Sequence, residues 1–466
     1  MNTISANLTG NALYPNYDAL WHLHAMGILD QGNEPKGWSL SKPQKPTRVA
    51  VIDTSAAIEH PNLQEAINKE LSLDLFSARL GSFPYRGEGK TPIDNLDLNW
   101  STNIADGLPR TVRLLAEFVD RLSHGSPAHF SGVQPCTDPA FSNHGTSIAG
   151  LVGARACMAE QKLPNGSTAP LPLPYCGVDP MCEIVQISTN FDPDPESLLL
   201  AFLYADLIDA DVVLFPRNIA DPTRTVPELG DELVSGAPLG DAIQQIAPRA
   251  EKAELWSELS ELMVTVSQHR PVVCAAGNAN EDNAIYPANL ASEHNGIVSV
   301  GALNAKGVRC SYSVSRNVTV LAPSGDAEVF DRTQVRLDEQ NPNYDPTGVP
   351  TPNDNHLYSS FDLISTDVPG KAGYSGSPFD KTPTDGSLRE FGSYYSRFSG
   401  TSASSALVAG FLSLAKSTNA LQAKSGIEAK AWLLAKSEEI TADGETFLMP
   451  VWSGAAVFPD SSTEVS

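Results

Sequence analysis

The stretch Phe398-Ser399-Gly400-Thr401-Ser402-Ala403-Ser404-Ser405-Ala406-Leu407-Val408-Ala409-Gly410 indicates how the rest of the chain is arranged. Small and apolar residues recur along it at helical spacing, which predicts a helix buried against a sheet. They are Ala403, Ala406, Leu407, Gly410, Phe411 and Leu414. Ser402 falls in the first turn of this helix, where backbone N–H groups lack intrahelical acceptors and the helix dipole is positive. That position suits a nucleophile that passes through an oxyanion, although a plain N-cap serine fits the segment equally well.

Two upstream segments carry the other residue types that such a nucleophile needs. The run Arg48-Val49-Ala50-Val51-Ile52-Asp53-Thr54-Ser55 is typical of a buried parallel strand, and its strand part ends on the carboxylate of Asp53. The run Asn143-His144-Gly145-Thr146-Ser147 places His144 where a loop turns into a second helix of small residues. A histidine can take the proton of a serine hydroxyl and later return it to a leaving amine, while a carboxylate fixes the histidine tautomer.

In this chain order, Val51-Ile52-Asp53-Thr54-Ser55, His144-Gly145-Thr146 and Ser399-Gly400-Thr401-Ser402-Ala403 resemble the three active-site signatures of the subtilisin-like (S8) serine peptidases. The resemblance covers roughly residues 15–75, 140–325 and 361–440. It implies that Asp53, His144 and Ser402 form a catalytic triad. It also implies an α/β fold, a three-layer sandwich with a mostly parallel central sheet and helices on both faces.

A fourth segment, Val272-Val273-Cys274-Ala275-Ala276-Gly277-Asn278, reads as a buried strand that ends on Gly-Asn. An asparagine after a glycine at a strand end is most often a turn residue. This one resembles the Ala-Ala-Gly-Asn segment of the family, however. The resemblance implies that the Asn278 side chain and the Ser402 N–H form the oxyanion hole.

The sequence also departs from the family pattern. Ser55, Ser147 and Ala406 stand where the family usually has Gly, His and Pro, and none of the three takes part in proton transfer. The larger departure is Leu214-Phe215-Pro216-Arg217-Asn218, where the family typically has a Ser-x-Gly strand end that pairs with the substrate backbone. Pro216 has no N–H, so one hydrogen bond to the substrate is missing if it falls on a bonding position.

The alignment with the family assigns six residues to substrate binding: Pro216, Arg217, Asn218, Ala275, Ala276 and Gly277. Arg217 is predicted on the wall shared by the substrate pockets, where a guanidinium would favour acidic side chains. Alternatively, Arg217 points to solvent or pairs with a nearby carboxylate such as Asp221.

Because the three signatures must converge on one site, we expect one large domain over residues 47–440, with loop insertions near 75–140 and 325–395. Residues 1–46 are predicted to be an N-terminal extension, and residues 441–466 a polar C-terminal tail. The extension holds an amphipathic patch, Tyr17 to Ile28, which we expect to pack on the domain as a helix. Alternatively, the extension is regulatory, with Leu13-Tyr14-Pro15 crossing the active-site cleft.

Between the signatures, strand and helix patterns alternate, which predicts a parallel sheet whose active site lies at the carboxyl ends of its strands. A turn followed by a strand is expected within 177–187, and further strands near 210–215, 271–275, 297–300, 318–321 and 361–366. Helices are expected over 198–208, 251–269 and 426–437, and a loop over 163–175.

Composition excludes several classes of protein. The 31 basic and 55 acidic residues give a net charge of −24, which argues against nucleic acid or anionic lipid as a partner. The longest apolar stretches, such as Ala406 to Ala415, are too short to span a bilayer. The first residues show no secretory signal, so we expect a cytoplasmic protein.

The six cysteines show no metal-binding spacing and are predicted to be buried or loop thiols, although an oxidising compartment would allow a Cys176–Cys182 bridge. The sequence identifies no metal ligands. The chemistry requires no cofactor, and structural calcium is left open.

We therefore predict a serine endopeptidase that acts on protein or peptide substrates through an acyl-enzyme, with a regulatory partner protein as one means of restraint. The altered segment at 216–218 permits a different class, a catalytically impaired protein with the same fold that serves as a binding or scaffold module. An esterase or peptide ligase that uses the same acyl-enzyme is a further alternative.

Overall fold

A central sheet of seven strands organises the protein. The computed structural model describes residues 20–30, 32, 34–38, 46–75, 107–114, 116, 140–189, 193–217, 219, 253–278, 280–310, 312–325, 327–329, 335–337, 363–369, 373, 394–442 and 444–459. Its strands are β1 (Arg48–Asp53), β2 (Leu73–Asp74), β3 (Cys157–Lys162), β4 (Thr168–Leu173), β5 (Glu183–Ser188), β6 (Val212–Phe215), β7 (Val272–Ala275), β8 (Ile297–Leu303), β9 (Val320–Pro323), β10 (Ala327–Val329), β11 (Val335–Leu337), β12 (Leu363–Thr366), β13 (Tyr395–Phe398), β14 (Ser437–Ala442) and β15 (Glu445–Pro450). Its helices are α1 (Trp21–Ala25), α2 (Ala140–Gly153), α3 (Pro195–Leu207), α4 (Ala253–His269), α5 (Thr401–Ser417) and α6 (Gly426–Ala435).

The strands of the central sheet follow the order β2-β5-β1-β6-β7-β8-β9, and every neighbouring pair is parallel. From β1 the chain first builds the β5 and β2 side of the sheet and then returns to add β6 to β9 on the other side. The order of addition therefore reverses beside β1. In open α/β sheets the crevice at such a reversal, outside the carboxyl ends of the strands, is where ligands bind.

Both faces of the sheet are covered, which explains why its strands are mostly apolar. In β1, Val49 and Val51 face one buried cluster, whereas Ala50 and Ile52 face the other. The first cluster contains α2 and α5, and the second contains α3 and α4. Alternate side chains of a strand point to opposite faces, so a strand between two layers of helices is apolar along most of its length.

Helix α5 runs through the core along the strands of the sheet, from their carboxyl ends to their amino ends. All residues from Thr401 to Ala415 are buried, as expected for a helix that is small or apolar on every side. At its start, Ser404 Oγ donates to Pro323 O at the carboxyl end of β9 (3.1 Å). Near its end, Lys416 Nζ lies 3.0 Å from Asp211 Oδ1, just before β6 begins. The helix therefore starts where the strands have their carboxyl ends and ends where they have their amino ends.

The predicted three-layer α/β architecture is confirmed, and so are the main strands and helices within it. The predicted loop at 163–175 differs, because much of it pairs with the preceding residues as the antiparallel hairpin of β3 and β4. The packed-helix interpretation of the N-terminal patch fits α1, in which Trp21 and Leu23 belong to the core. The segment Leu13-Tyr14-Pro15 and most of the two predicted insertions lie outside the described residues.

The prediction of a polar tail after residue 440 did not anticipate the structure of that segment. Strands β14 and β15 form an antiparallel hairpin, and Met449, Val451 and Phe458 are buried in the core. Met449 and Val451 are two residues apart and so point to the same side of the extended chain. This apolar spacing gives the segment a face that it buries against the domain.

The cysteines of the described ranges, Cys157, Cys176, Cys182, Cys274 and Cys310, are free thiols, and Cys136 lies outside those ranges. No helix in the described part of the chain has the length and hydropathy needed to cross a membrane.

Candidate active site

Asp53 is the last residue of β1 and lies at the carboxyl edge of the sheet with no exposed surface. Its Oδ1 accepts a hydrogen bond from the Thr54 N–H at 2.6 Å. The ring of His144 faces the same carboxylate, with Nδ1 2.7 Å from Oδ2 and 2.9 Å from Oδ1. The carboxylate is therefore held on one side by the backbone of its own loop and on the other by the imidazole.

Helix α2 brings His144 to this carboxylate because it docks closely on the loop after β1. A Cβ atom at Gly145 would overlap the carbonyl oxygens of Thr54 and Ser55, so only glycine fits at this approach. The Gly145 N–H donates to Thr54 Oγ1 at 3.0 Å. The His144 ring also makes an edge contact with Phe398, with ring centroids 5.4 Å apart. The imidazole is thus fixed in position by helix docking and by aromatic packing.

Ser402 is the second residue of α5 and is nearly buried, at 9% exposure. Its first-turn N–H has no intrahelical acceptor and is available to a ligand. Its Oγ donates to Pro216 O at 2.7 Å, and among the described residues no hydrogen bond joins it to His144. The fold thus brings the three predicted triad residues to one edge of the sheet, with the serine hydroxyl turned toward the end of β6.

Asn278 lies just beyond the end of β7 and is oriented by Thr401. Its Oδ1 accepts hydrogen bonds from the N–H and the Oγ1 of Thr401, both at 2.8 Å. A backbone N–H can only donate, so this contact fixes which end of the amide is the oxygen. The Asn278 Nδ2 group is consequently directed away from Thr401.

The turn that leads into α5 is held from both sides. Gly400 adopts φ +92°, a backbone conformation that residues other than glycine rarely adopt. Its N–H donates to Tyr312 Oη at 3.2 Å, and its carbonyl accepts from Ser324 Oγ at 3.0 Å. The backbone before Ser402 is therefore fixed by two groups from the region around β9.

The residues predicted to bind substrate lie at the ends of β6 and β7. Ala275 ends β7, and Ala276 and Gly277 follow it as buried residues. The Gly277 N–H donates to Thr401 Oγ1 at 3.1 Å. Pro216 follows β6 directly, and Asn218 lies outside the described residues.

Arg217 is almost wholly buried, at 5% exposure, so it does not extend into solvent. Its Nη1 donates to Thr189 Oγ1 at 3.3 Å, and its Nε lies 4.0 Å from Asp53 Oδ1. The carboxylate suggested from the sequence as its partner, Asp221, lies outside the described residues. A carboxylate of the candidate triad is therefore a neighbour of the guanidinium.

The sequence did not identify several residues that position the site. Thr54 and Phe398 hold the Asp53 and His144 groups, and Thr401 orients Asn278. Thr401 and Phe398 both lie in the stretch around Ser402, but their neighbours come from β7 and α2, so the stretch alone carries no signal for these contacts. Within the described ranges, no group of three or more His, Cys, Asp or Glu side chains is arranged to hold a metal ion.

Comparison with known proteins gives a match between the model of the subtilase family, peptidase S8, and residues 44–447. Among solved structures, the nisin leader peptidase NisP from Lactococcus lactis has a TM-score of 0.50 and 14% identity, covering 91% of this chain and 90% of that chain. The Aeromonas sobria serine protease in its complex with a chaperone has a TM-score of 0.50 and 16% identity, covering 94% of this chain and 62% of that chain. At these identities the two structures show the shared fold. No curated protein matches the chain.

Proposed function

Since this chain belongs to the subtilase family of serine proteases, we propose that it is an endopeptidase in which Asp53, His144 and Ser402 cleave peptide bonds through an acyl-enzyme. The observation that carries this proposal is the contact of 2.7 Å between His144 Nδ1 and the buried Asp53 carboxylate, beside the N-terminus of α5 where Ser402 lies.

Asp53 sets the protonation of the histidine in this mechanism. The carboxylate accepts the proton on Nδ1, so Nε2 carries the lone pair and can act as the base. The same carboxylate stabilises the imidazolium that forms when His144 takes a second proton. Because Asp53 has no exposed surface, water does not compete for this contact.

Ser402 then acts as the nucleophile. Rotation of its side chain exchanges the hydrogen bond with Pro216 O for one with His144 Nε2, a contact that is often completed only when substrate is bound. His144 takes the hydroxyl proton as Oγ attacks the carbonyl carbon, and it gives that proton to the departing amine. Water, activated by His144 in the same way, breaks the resulting ester and releases the acid product.

The negative charge of the tetrahedral intermediate requires donors at the start of α5. The Ser402 N–H and the Asn278 Nδ2 group supply them, with the positive end of the helix dipole behind. Thr401 supports this role because it occupies Asn278 Oδ1 with two hydrogen bonds. The donor is therefore oriented before substrate arrives, and little reorganisation is needed during the reaction.

The substrate in this proposal is an extended peptide that lies between the ends of β6 and β7. Ala275, Ala276 and Gly277 form one wall of this space, and Pro216 begins the other. The Ala276 and Gly277 N–H groups already donate to Val300 O and Thr401 Oγ1. Pro216 can accept a hydrogen bond through its carbonyl but cannot donate one, so this side holds the peptide with one bond fewer.

A binding or scaffold protein with impaired catalysis is the second candidate. The observation that favours it is the hydrogen bond between Ser402 Oγ and Pro216 O, because among the described residues the hydroxyl is bonded there and not to His144.

Cleavage profiling on a peptide library separates these functions. We expect the wild-type protein to cleave a subset of peptides and Ser402→Ala to cleave none of them. Ser405→Ala is a matched control, since Ser405 is a buried serine one turn further along α5, and it should retain the wild-type pattern. Equal cleavage by wild type and Ser402→Ala would refute the proposal. A folded wild-type protein that binds peptides without cleaving them would support the binding module.

A further inference from the structure

We infer that Arg217 is a positioning residue of the triad, which holds the Asp53 carboxylate and, through its charge, extends activity to lower pH. This inference rests on the proposed function, because it concerns the same catalytic carboxylate. Arg217 stands where the resemblance to the family predicts a substrate contact, so its role differs from the one that the sequence indicated.

The register of the sheet explains how Arg217 reaches the triad. Val51 of β1 pairs with Leu214 of β6 in a parallel register. Two residues further on, this register places Asp53 beside Pro216, with Arg217 immediately beyond. The two strand ends are neighbours at the reversal of the sheet, so a side chain that turns back from residue 217 meets the end of β1.

Arg217 crosses the end of β1 and reaches β5. Its Nε lies 4.0 Å from Asp53 Oδ1, while its Nη1 donates to Thr189 Oγ1 at 3.3 Å. Thr189 follows β5, and its N–H donates to Asp53 O at 2.7 Å. The guanidinium is therefore anchored by a residue that is itself bonded to the backbone of the catalytic aspartate.

Burial makes this charge effective. Asp53 has no exposed surface, and the Arg217 side chain is 5% exposed. Salt and water screen a buried pair much less than an exposed one. A guanidinium at this distance compensates part of the negative charge that Asp53 carries in a buried position, and it opposes rotation of the carboxylate away from His144.

Among the described residues, His144 and Arg217 are the charged or titratable side chains within ion-pair distance of Asp53. On the β5 side, the neighbours are the neutral Ser188, Thr189 and Gln186. At this end α5 contributes hydroxyl groups, and β13 contributes the Phe398 ring. Two further acidic residues lie at the carboxyl ends of the strands but on other elements. Asp74 ends β2, the strand on the far side of β5, and Asp194 is the N-cap of α3.

The direction of the pH effect follows from the sign of the charge. A fixed positive charge beside Asp53 disfavours a second positive charge on His144, because like charges repel. Removing the charge should move the acidic limb of activity to higher pH.

Two variants test this inference. Arg217→Gln removes the charge and keeps a polar side chain, whereas Arg217→Lys keeps the charge. For each, the rate of inactivation by a fluorophosphonate and the kcat/KM for one peptide are measured from pH 4 to pH 9. For Arg217→Gln we expect the midpoint of the acidic limb to move up by about one pH unit. At pH values well below that midpoint, the rates should then be about tenfold lower than those of the wild type. For Arg217→Lys we expect a limb close to that of the wild type.

The inference would be overturned if Arg217→Gln kept the wild-type midpoint, or if the Gln and Lys variants shifted it equally. In either case the shift would not depend on the positive charge at residue 217. If Arg217→Gln does not fold, Thr189→Val decides, because it removes the acceptor of Nη1 and should give a smaller shift in the same direction. No shift in Thr189→Val would then overturn the inference. Failure of the proposed function would look different. In that case the wild-type protein itself would take no fluorophosphonate label on Ser402, and no pH profile could be measured.

Discussion

The two ends of helix α5 each meet a fully buried aspartate, and the two aspartates have different surroundings. At the first turn, beside Ser402, Asp53 contacts the His144 ring and lies close to Arg217. Eleven residues later, a rise of about 16 Å, Ser413 Oγ donates to Asp179 Oδ2 at 2.7 Å. The Met181 N–H donates to the other oxygen of Asp179 at 3.1 Å.

This difference shows how surroundings decide what a buried carboxylate can do. Burial raises the pKa of Asp179 to about 6, and its hydrogen bonds together with the positive charge of Arg155 offset only part of that effect. Asp53 instead contacts the His144 ring and has the Arg217 guanidinium 4.0 Å away. The two ends of the helix carry opposite partial charges, and the elements packed around them supply different neighbours. Both differences account for the contrast.

The largest expected effect comes from substitutions at the first of the two aspartates, Asp53, and at its partner His144. Asp53→Ala and His144→Ala should each lower kcat by about 10⁴-fold or more, a magnitude measured for triads of serine proteases that include a subtilisin. Because the residues act as a unit, the double variant should lose little more than the worse single variant. Steady-state kinetics on one peptide tests this, with circular dichroism as the control for folding.

Multiplicative losses in the double variant would contradict the shared mechanism. Asp179→Asn is the contrasting control, since the account places Asp179 outside the chemistry and expects it to keep most of the wild-type activity.

A smaller loss should follow from removing the oriented amide. Asn278→Ala should lower kcat by about 10²–10³-fold with a smaller change in KM, as reported for a subtilisin without its oxyanion-hole asparagine. The physical reason is that the amide meets negative charge that develops only in the transition state. Asn283→Ala, an exposed asparagine on the same loop, is the matched control. A pure KM effect in Asn278→Ala would place this residue in ground-state binding instead.

The smallest effect on activity, but a measurable one on stability, concerns Asp179. A carboxyl whose folded pKa of about 6 lies above its ordinary value of 3.8 binds its proton more tightly in the folded state. It therefore contributes stability that is fully present below pH 4 and is lost as the pH rises through 6. Asp179→Asn removes this loss, so it should stabilise the protein above pH 6, by about 3 kcal/mol at most.

Thermal unfolding of both proteins from pH 4 to pH 8 measures this difference. The gain from Asp179→Asn should grow with pH, whereas Asp209→Asn, with a side chain 77% exposed, should show no such trend. A constant difference across the pH range would mean that hydrogen bonding, and not charge burial, distinguishes the two ends of α5.

Much of the fold could be predicted from the sequence because its signals are local. The apolar strands at 48–53 and 272–275 and the small-residue helix at 401–417 each carry their own pattern. The hairpin of β14 and β15 was missed, because neither strand shows a clear alternation. The first, Ser437–Ala442, is mostly polar, and the second, Glu445–Pro450, holds a consecutive apolar run.

The candidate site divides in the same way. The positions of Asp53, His144 and Ser402 could be predicted, since each lies in a recognisable segment. The contacts of Arg217 with Thr189 and Asp53 could not, because they join the ends of three strands that are distant in sequence. The rotamer of Ser402 depends on Pro216 across the same edge, which no local pattern encodes.

The central claim is that Ser402, activated by His144, forms a covalent acyl-enzyme. Labelling with a fluorophosphonate, followed by peptide mapping by mass spectrometry, tests it most directly. The account predicts one label on Ser402 in the wild type, none in Ser402→Ala and strongly slowed labelling in His144→Ala. A folded wild-type protein that takes no label, or a label on another residue that persists in Ser402→Ala, would contradict it.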